Sequence, residues 1–148
     1  MKPMHPTTRL LLTAAVLWSL LVGAAAAQDV EASDMVQGGM QAIQMIDQGK
    51  AEELWSGATQ ATRKRVTRTD FVAKLSKSRS PLGAPLQRTW VAVNRQAVAD
   101  PDTETAGQYV SIEYETRFSN KPDGTVRELV SFHLDRDRIW RFSSYVLR

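Results

Sequence analysis

The fold is decided by residues 109–118, YVSIEYETRF, in which apolar and polar side chains alternate. Successive side chains of a β-strand point to opposite faces of its sheet. The alternation therefore predicts a strand with one face on a hydrophobic core and the other in water. The predicted inner side carries Val110, Ile112, Tyr114 and Phe118, and the outer side carries Ser111, Glu113, Glu115 and Arg117.

The same two-residue period predicts three further strands around this one. They span residues 87–97, 126–134 and 139–147. The stretch ADPDTETAGQ reads as a loop, and NKPDG, residues 120–124, has the proline and glycine that suit a chain reversal. Together the four segments predict an antiparallel meander with one face on the core.

Before residue 81 the spacing of apolar residues is helical. Three helices are predicted, with apolar stripes at Val36, Met40, Ile43 and Ile46, at Ala51, Leu54, Trp55 and Ala58, and at Phe71, Val72 and Leu75. Gly38 and Gly39 each weaken the first helix by ~1 kcal/mol, which a neighbour packed closely against the bare backbone would explain. The sequence therefore predicts an α+β fold, with three N-terminal helices packed on one face of a four-stranded antiparallel meander.

The first 27 residues have the three parts of a secretory signal peptide. A basic start, MKPMHPTTR, leads into an apolar centre, and Ala25 and Ala27 offer small residues for cleavage. An uncleaved membrane anchor is the alternative, since the apolar stretch approaches the ~20 residues needed to cross a bilayer. We expect export to the periplasm or the medium, with cleavage after Ala27. Residues 28–148 would then form a single α+β domain that is not an integral membrane protein.

Charge is balanced overall but segregated along the chain. Lys2 and Arg9 lie in the leader, which leaves 17 of the 19 basic residues against 16 acidic ones. Basic side chains near the end of a helix are favoured by its dipole, so the densest basic cluster is interpreted as a helix–helix junction. Peripheral binding to anionic envelope lipid is the alternative, and nucleic acid is not expected as a partner of an exported chain. The cluster comprises Arg63, Lys64, Arg65 and Arg68.

Short motifs follow one another in a fixed order over residues 36–148. They are Asp47-Gln-Gly49 with Trp55, Arg79-Ser-Pro-Leu-Gly83 with Arg88, Gly107-Gln-Tyr109-Val110, Tyr114-Glu-Thr116-Arg-Phe118-Ser-Asn120-Lys121, Glu128, and Trp140-Arg141-Phe142 with Tyr145. Together they resemble the domain of unknown function 4019 family, DUF4019, whose members are small exported bacterial proteins without an assigned activity. Ala51 departs from the pattern, because an aromatic residue is expected there.

The resemblance implies the cone-shaped α+β fold of nuclear-transport-factor-like and cystatin-like domains. That fold hosts isomerases, ligand binders and interaction modules, so it assigns no function by itself.

Few residues could carry chemistry. The chain has no Cys, which excludes disulfides, thiolate catalysis and lipid attachment at Cys, and it has no Gly-x-Ser-x-Gly motif. His133 is the single His after the leader, no acidic spacing fits a calcium loop, and no glycine-rich phosphate loop occurs. We therefore expect no metal and no cofactor.

Arg88 and Glu128 are unusual because both share the parity of apolar positions in their strands. Burying either charge unpaired costs several kcal/mol, so a structural ion pair is the first interpretation. The alternative places both side chains in a cavity between sheet and helices, where they bind a small polar ligand or Glu128 acts as a general base.

His133 shares the outer parity with Asp135, whose carboxylate is near enough to orient the imidazole. A His133–Asp135 pair could act as a base, but an open sheet face offers no pocket, so we expect a solvated histidine. Glu128, His133 and Asp135 are thus weak catalytic candidates, and no residue is assigned a catalytic role.

Apolar residues also occur at outward positions of the predicted sheet. Such patches on a monomer often mark a partner surface. We predict weak homodimerisation, or docking of an envelope protein, through this face. The residues concerned are Tyr109, Leu129, Ile139, Tyr145 and Leu147.

These features predict a non-enzymatic exported module that binds a small ligand or another envelope protein. One alternative is an isomerase or hydrolase of the cone-shaped fold, with Glu128 or the His133–Asp135 pair as base. Peripheral binding to anionic lipid through the basic cluster is another.

Overall fold

The computed structural model describes residues 31–148, so the predicted leader, residues 1–27, lies outside the described part of the chain. The helices are α1 (Ala32–Asp47), α2 (Ala51–Ser56), α3 (Gln60–Arg65) and α4 (Arg68–Arg79), followed by a 3-10 turn, Ser80–Leu82. The strands are β1 (Pro85–Val98), β2 (Gly107–Phe118), β3 (Lys121–Leu134) and β4 (Trp140–Leu147). Of the helices between residues 31 and 148, none has the length and apolar character to span a bilayer.

The strands form one open antiparallel sheet in the order β1-β2-β3-β4. The predicted α+β class and the four-strand meander are confirmed. The helices lie on one face, where Ile43 of α1 and Leu54 of α2 join the inward residues of β2 and β3 in one hydrophobic core.

Strand β2 has the predicted two faces. Val110, Ile112 and Tyr114 are buried in the core, whereas Glu113 and Glu115 on the other side are partly exposed. Each face thus matches the polarity of its side chains, which fixes the register because a one-residue slip would bury the charges.

Helix α1 crosses the sheet over Tyr114, and glycine permits the close approach. A Cβ at Gly39 would overlap the Tyr114 hydroxyl, whereas one at Gly38 would meet Phe132 Cζ at 3.9 Å, an ordinary contact. The hydroxyl donates a hydrogen bond to the Val36 carbonyl at 2.5 Å. The predicted close neighbour of the two glycines is therefore present, at Gly39.

The predicted second helix is wrong, because it divides into α2 and α3 after Ser56. The helix is interrupted at Thr59, because this residue makes two hydrogen bonds outside a continuous helix. Its hydroxyl accepts a hydrogen bond from the Thr62 amide at 3.1 Å, and its own amide donates one to the Phe142 carbonyl of β4 at 2.9 Å. The chain is thereby drawn to the edge of the sheet, where the Thr62 hydroxyl also bonds the Ser143 carbonyl at 2.8 Å. The last helix, α4, begins after Thr67, whose hydroxyl accepts a hydrogen bond from the Asp70 amide at 3.1 Å.

The predicted turn at residues 120–124 lies elsewhere. The chain reverses at Ser119 and Asn120, because their amides are tied to the carbonyls of Ala84 and Leu82 at 2.8 and 3.0 Å. The ladder then shifts register before Val126, so residues 122–125 are extended outside the regular pairing. A proline and a glycine are tolerated at such an irregularity.

A bulge in β4 inverts the predicted faces of two residues. Ser131 pairs with Ser144 and Phe132 with Phe142, which leaves Ser143 as an extra residue. Beyond a bulge the alternation shifts by one position. Tyr145 and Leu147, predicted to face outward, therefore lie on the inner side. Tyr145 pairs with Val130, and Leu147 pairs with Glu128.

Strand β1 also carries a bulge, between Trp90 and Ala92. Arg88 and Trp90 pair with inward residues of β2, as the parity predicts, but Ala92 lies opposite the outward Glu113. Leu86 and Trp90 are 60% and 55% exposed. The helices therefore leave Leu86 and Trp90 largely uncovered, although the Arg88 side chain between them is only 8% exposed.

Candidate functional site

Four charged side chains meet between the helices and the sheet, and we call them the ion-pair cluster. Asp47 is the last residue of α1, and Arg79 is the last residue of α4. Arg88 comes from β1 and Glu128 from β3. A cation at the end of a helix is favoured by the helix dipole, whereas an anion there is not. Asp47 therefore depends on the two arginines beside it.

Arg79 joins three elements of the cluster through its terminal nitrogens. Nη1 donates to Glu128 Oε1 at 2.6 Å and to the Tyr145 hydroxyl at 3.2 Å, and Nη2 donates to Asp47 Oδ1. The guanidinium carbon lies 4.5 Å from the centre of the Phe118 ring. Stacking on the ring, together with two carboxylates, fixes the guanidinium in place.

Arg88 binds the same two carboxylates from the sheet side. Nη1 donates to Asp47 Oδ2 at 2.8 Å, and Nη2 donates to Glu128 Oε1 at 3.1 Å. Nε donates to Thr116 Oγ1 at 3.2 Å, so its 3.0 Å approach to Glu128 Oε2 is an ion pair without hydrogen-bond geometry. The predicted structural pair of Arg88 and Glu128 is thus present, within a larger cluster.

Burial differs across the cluster. The Glu128 side chain is fully buried, Arg88 and Arg79 are 8% and 9% exposed, and Asp47 is 15% exposed. The two guanidinium and two carboxylate charges cancel. Removing one partner of such a group leaves an uncompensated buried charge, which is more costly than the loss of a surface pair.

The cluster also affects the acid–base behaviour of its neighbours. Burial lowers the pKa of Arg88, but hydrogen bonds to Asp47 and Glu128 outweigh this effect, so its pKa lies above the ordinary value. Burial, and then the negative charge of Glu128, raise the pKa of the Tyr145 phenol. Burial likewise raises the pKa of Tyr114, with Arg88 acting in the opposite direction.

A cleft of about 410 Å³, which we call the α1–α4 cleft, opens beside the cluster between α1, α2, α4 and the start of β1. Asp47 and Arg79 line it, whereas Arg88 and Glu128 do not. Direct ligand contact by Arg88 and Glu128 therefore stays a prediction. The apolar part of the wall consists mainly of Ile46, Ala51, Val72 and Leu75.

The sequence-based interpretation gave Asp47 and Arg79 no role, although both belong to the motifs of the family resemblance. The helical spacing of buried residues could have predicted that both side chains point inward. Arg79 follows the buried Phe71 and Leu75 at four-residue steps, and Asp47 follows the buried Ile43 by four. A charged residue that continues an apolar stripe is placed to point inward at the end of its helix.

His133 forms a second polar site, and the predicted solvated state is wrong. The side chain is 5% exposed. Nδ1 lies 2.8 Å from Asp135 Oδ1, and Nε2 lies 2.9 Å from the Ala106 carbonyl. The Tyr109 ring is 4.6 Å from the imidazole. The neighbour relation with Asp135 was predicted correctly, but the loop that ends at Ala106 covers the ring.

An open cleft of about 340 Å³ adjoins His133 and Asp135. Its charged side chains include both signs, and Arg141 bonds both Asp135 and Asp137 at 2.7–2.9 Å. These mutual bonds lower the pKa of Asp137, mainly through the hydrogen bond from Arg141. Among residues 31–148, no three His, Cys, Asp or Glu side chains are grouped to hold a metal ion.

The predicted basic cluster lies at the end of α3 and the start of α4. Its side chains are exposed, and Lys64 pairs with Glu104 at 2.7 Å. Of the residues predicted to form a partner surface, Ile139 is exposed, while Tyr109 and Leu129 are partly buried. Their role in partner binding remains a prediction.

These features define a small α+β domain in which helices on one face of an open antiparallel sheet enclose a buried ion-pair cluster beside a cleft. The chain belongs to the DUF4019 family of proteins of unknown function, which it matches over residues 38–145. All four residues of the ion-pair cluster lie in the matched range. No match was found among the curated proteins compared with it.

Proposed function

We propose that this protein is an exported, non-enzymatic module that binds a small molecule in the α1–α4 cleft. The observation that carries the proposal is the cleft itself, about 410 Å³ in volume, with apolar walls and the Asp47–Arg79 pair in its lining. Ligand sites are commonly concave and mostly apolar, measure roughly 300–1,000 Å³, and contain a few fixed polar groups. The α1–α4 cleft has each of these properties.

The bonding of the candidate bases favours binding over catalysis. A general base needs a lone pair within reach of a substrate proton. Glu128 is buried and held by two guanidinium groups. Glu128 Oε2 has no hydrogen-bond partner within residues 31–148, but the side chain is fully buried and lines neither cleft, so a substrate proton is not within its reach. Both ring nitrogens of His133 lie within hydrogen-bond distance of protein oxygens, 2.8 Å from Asp135 Oδ1 and 2.9 Å from the Ala106 carbonyl, so neither is free for a substrate.

Export is part of the proposal and rests on the three-part leader and its small residues before the predicted cleavage point. The absence of Cys agrees with a domain that needs no disulfide in an oxidising compartment. The cone-shaped fold implied by the family resemblance also belongs to the proposal, and the cleft between helices and sheet supports it.

Two other roles have less support. A lipid-binding surface needs an excess of positive charge, but Lys64 of the basic cluster is paired with Glu104. Self-association through the outer sheet face is favoured by the exposure of Ile139 and Val146, at 51% and 42%. Both signs of charge occur on this face, in Glu113 and Arg127, so a second copy of the chain is the partner that it would fit.

Native mass spectrometry of protein recovered from the cell envelope tests these proposals together. We expect a mass that corresponds to cleavage after Ala27 and an additional bound mass below that of a peptide. The substitution Ala84→Trp, at an exposed residue of the cleft wall, should remove the bound mass because an indole fills the cleft. Ala99→Trp, in the exposed loop after β1, is the matched control and should retain it.

A bound mass that persists in Ala84→Trp would refute binding in the α1–α4 cleft, and the absence of any bound mass from the unaltered protein would refute it as well. The same spectra show the oligomeric state. A dimer that Val146→Glu dissociates would support the outer face as a self-association surface, and a monomer at all concentrations would exclude it.

A further inference from the structure

The open cleft of about 340 Å³ beside His133, which we call the His133 cleft, is a concave site apart from the α1–α4 cleft. Helix α3, the loop between β1 and β2, and the hairpin of β3 and β4 form its walls, and the two clefts share no lining residue. Apart from Ala61, every residue that lines it has a polar or charged side chain. The His133 cleft therefore suits a polar ligand.

The acidic side chains of the His133 cleft already have basic partners. Glu104 Oε1 accepts a hydrogen bond from Lys64 Nζ at 2.7 Å. Asp137 accepts from both terminal nitrogens of Arg141, at 2.8 and 2.7 Å. Asp135 Oδ2 accepts from Nη1 of the same guanidinium at 2.9 Å. A positively charged ligand would have to compete with these contacts.

Two arginines of the same lining, by contrast, have no carboxylate partner among residues 31–148. Arg136 donates from Nη2 to the Thr103 hydroxyl, which is a neutral acceptor. Arg63 makes neither a hydrogen bond nor an ion pair with the described part of the chain. Both arginines are exposed, so solvent and small solutes can reach their side chains. The unused hydrogen-bonding capacity of the cleft is thus mainly that of donors.

The balance of charge favours the same kind of ligand. Three basic side chains of the lining, together with Lys64 beside it, stand against three acidic ones when His133 is not counted. A guanidinium binds a carboxylate or a phosphate through two parallel hydrogen bonds, in the geometry that arginine favours. A small anion with such oxygens would supply both hydrogen-bond acceptors and the negative charge that the cleft lacks.

We propose that the His133 cleft is a second binding site, which takes a small oxyanion, a carboxylate or a phosphate group, at Arg63 and Arg136. Gln60 lies three positions before Arg63 on the same side of α3 and lines the same cleft, so its amide can donate a further hydrogen bond. The inference does not depend on the proposed function, because the α1–α4 cleft takes no part in it.

An NMR titration of the purified protein at pH 7 and constant ionic strength tests the site with succinate, inorganic phosphate and the neutral succinamide. We expect the amide signals of Gln60, Thr103 and Arg136 to shift in a saturable way with at least one of the two anions. Succinamide, which has the carbon skeleton of succinate without its charge, should leave these signals unchanged.

Arg63→Gln is the decisive variant, because this side chain has no contact within the described residues whose loss could disturb the fold. Anion binding should weaken by about fivefold or more, since a charge-assisted hydrogen-bonding group is removed. Arg68→Gln is the matched control: it removes the same charge from an exposed arginine that does not line the cleft. We expect it to change the affinity by less than about twofold, because solvent and salt screen a charge outside the site. Ala84→Trp, in the α1–α4 cleft, should have no effect.

The inference would be overturned if neither anion gave saturable shifts, or if succinamide bound as tightly as the anions. Unchanged affinity in Arg63→Gln would also overturn it, and so would equal weakening by Arg63→Gln and Arg68→Gln, which would indicate general attraction by net charge. Saturation by one anion alone identifies the group as carboxylate or phosphate. Sedimentation with phosphatidylglycerol vesicles separates two sources of a phosphate: vesicle binding that Arg63→Gln abolishes identifies a lipid headgroup, and no vesicle binding identifies a free anion.

Discussion

Glu128 is the most buried charge of the ion-pair cluster, and its contacts with Arg79 and Arg88 lead to a prediction about stability. Replacing Glu128 by Gln leaves two buried guanidinium groups with Asp47 as their single counter-charge. We expect the free energy of unfolding to fall by about 3–5 kcal/mol, the usual cost of removing one partner from a buried pair. Equilibrium urea denaturation measures this change directly.

Glu113→Gln is the matched control, because Glu113 is a partly exposed acid on the neighbouring strand that pairs with Arg127 at 2.9 Å. A surface pair of this kind contributes about 1 kcal/mol or less. If Glu128→Gln were as stable as Glu113→Gln but lost the bound small molecule, Glu128 would be a ligand-binding residue and the structural interpretation would be wrong.

Strand parity predicted the position of individual residues where pairing was regular. It placed Arg88 and Glu128 on the inner side, and it placed His133 beside Asp135. Parity says nothing about what covers a face, however. The burial of His133 comes from Ala106, which is 27 positions away in sequence, and single-residue patterns do not report such contacts.

The contact between α1 and β2 depends on a glycine, which gives a prediction at the scale of elements. In Gly39→Ala the new methyl group would overlap the Tyr114 hydroxyl and press on the ring, so α1 must move away from the sheet. Overpacking of this kind costs about 1–3 kcal/mol. Thermal unfolding followed by circular dichroism should therefore show a lower Tm for this variant.

Gly38→Ala is the control one position away. Its methyl group would lie 3.9 Å from Phe132 Cζ, and alanine favours a helix over glycine by ~1 kcal/mol. We expect an unchanged or higher Tm for this variant. Equal destabilisation by the two substitutions would show that helix α1 is sensitive to any added side chain, and would contradict a specific contact between Gly39 and Tyr114.

The type of each element, helix or strand, could be predicted from the periodicity of the sequence. The positions at which helices and strands are interrupted could not. The residues of α2 and α3 read as one helix because their apolar spacing continues across Gly57. The break depends on hydrogen bonds from Thr59 and Thr62 to β4, which a local pattern does not contain. The bulge at Ser143 is coupled to the same contact, and for this reason the faces of Tyr145 and Leu147 were predicted wrongly.

At the scale of the whole molecule, the α+β class was predictable because the spacing of apolar residues changes near Pro81 from a helical period to the two-residue period of strands. Helical spacing precedes that point and strand alternation follows it, so the layers are set by the chain order alone. The ion-pair cluster was predictable only in part. It draws one residue from each of α1, α4, β1 and β3, and its assembly depends on how the helices are placed on the sheet.

The three tyrosines of the chain report on the integrity of the whole fold. Burial is the main cause that raises the pKa of Tyr109, Tyr114 and Tyr145 above the ordinary value of 10.0. Folding thus favours the neutral phenols, whereas the unfolded chain ionises near pH 10. The stability that the neutral phenols contribute is complete below that pH and is lost as the pH rises above it.

A spectrophotometric titration at 295 nm should therefore show less tyrosinate at pH 10.5 in the folded protein than in urea, where phenols with a pKa near 10 are about three-quarters ionised, or roughly two tyrosinates per chain. Tyrosinate should appear in the folded sample together with the loss of the circular dichroism signal, since unfolding exposes the phenols. Tyr114→Phe removes one of the groups whose ionisation drives this unfolding, so the stability of that variant should depend less steeply on pH above 10. A tyrosine that ionises near pH 10 while the protein stays folded would contradict the burial of that phenol.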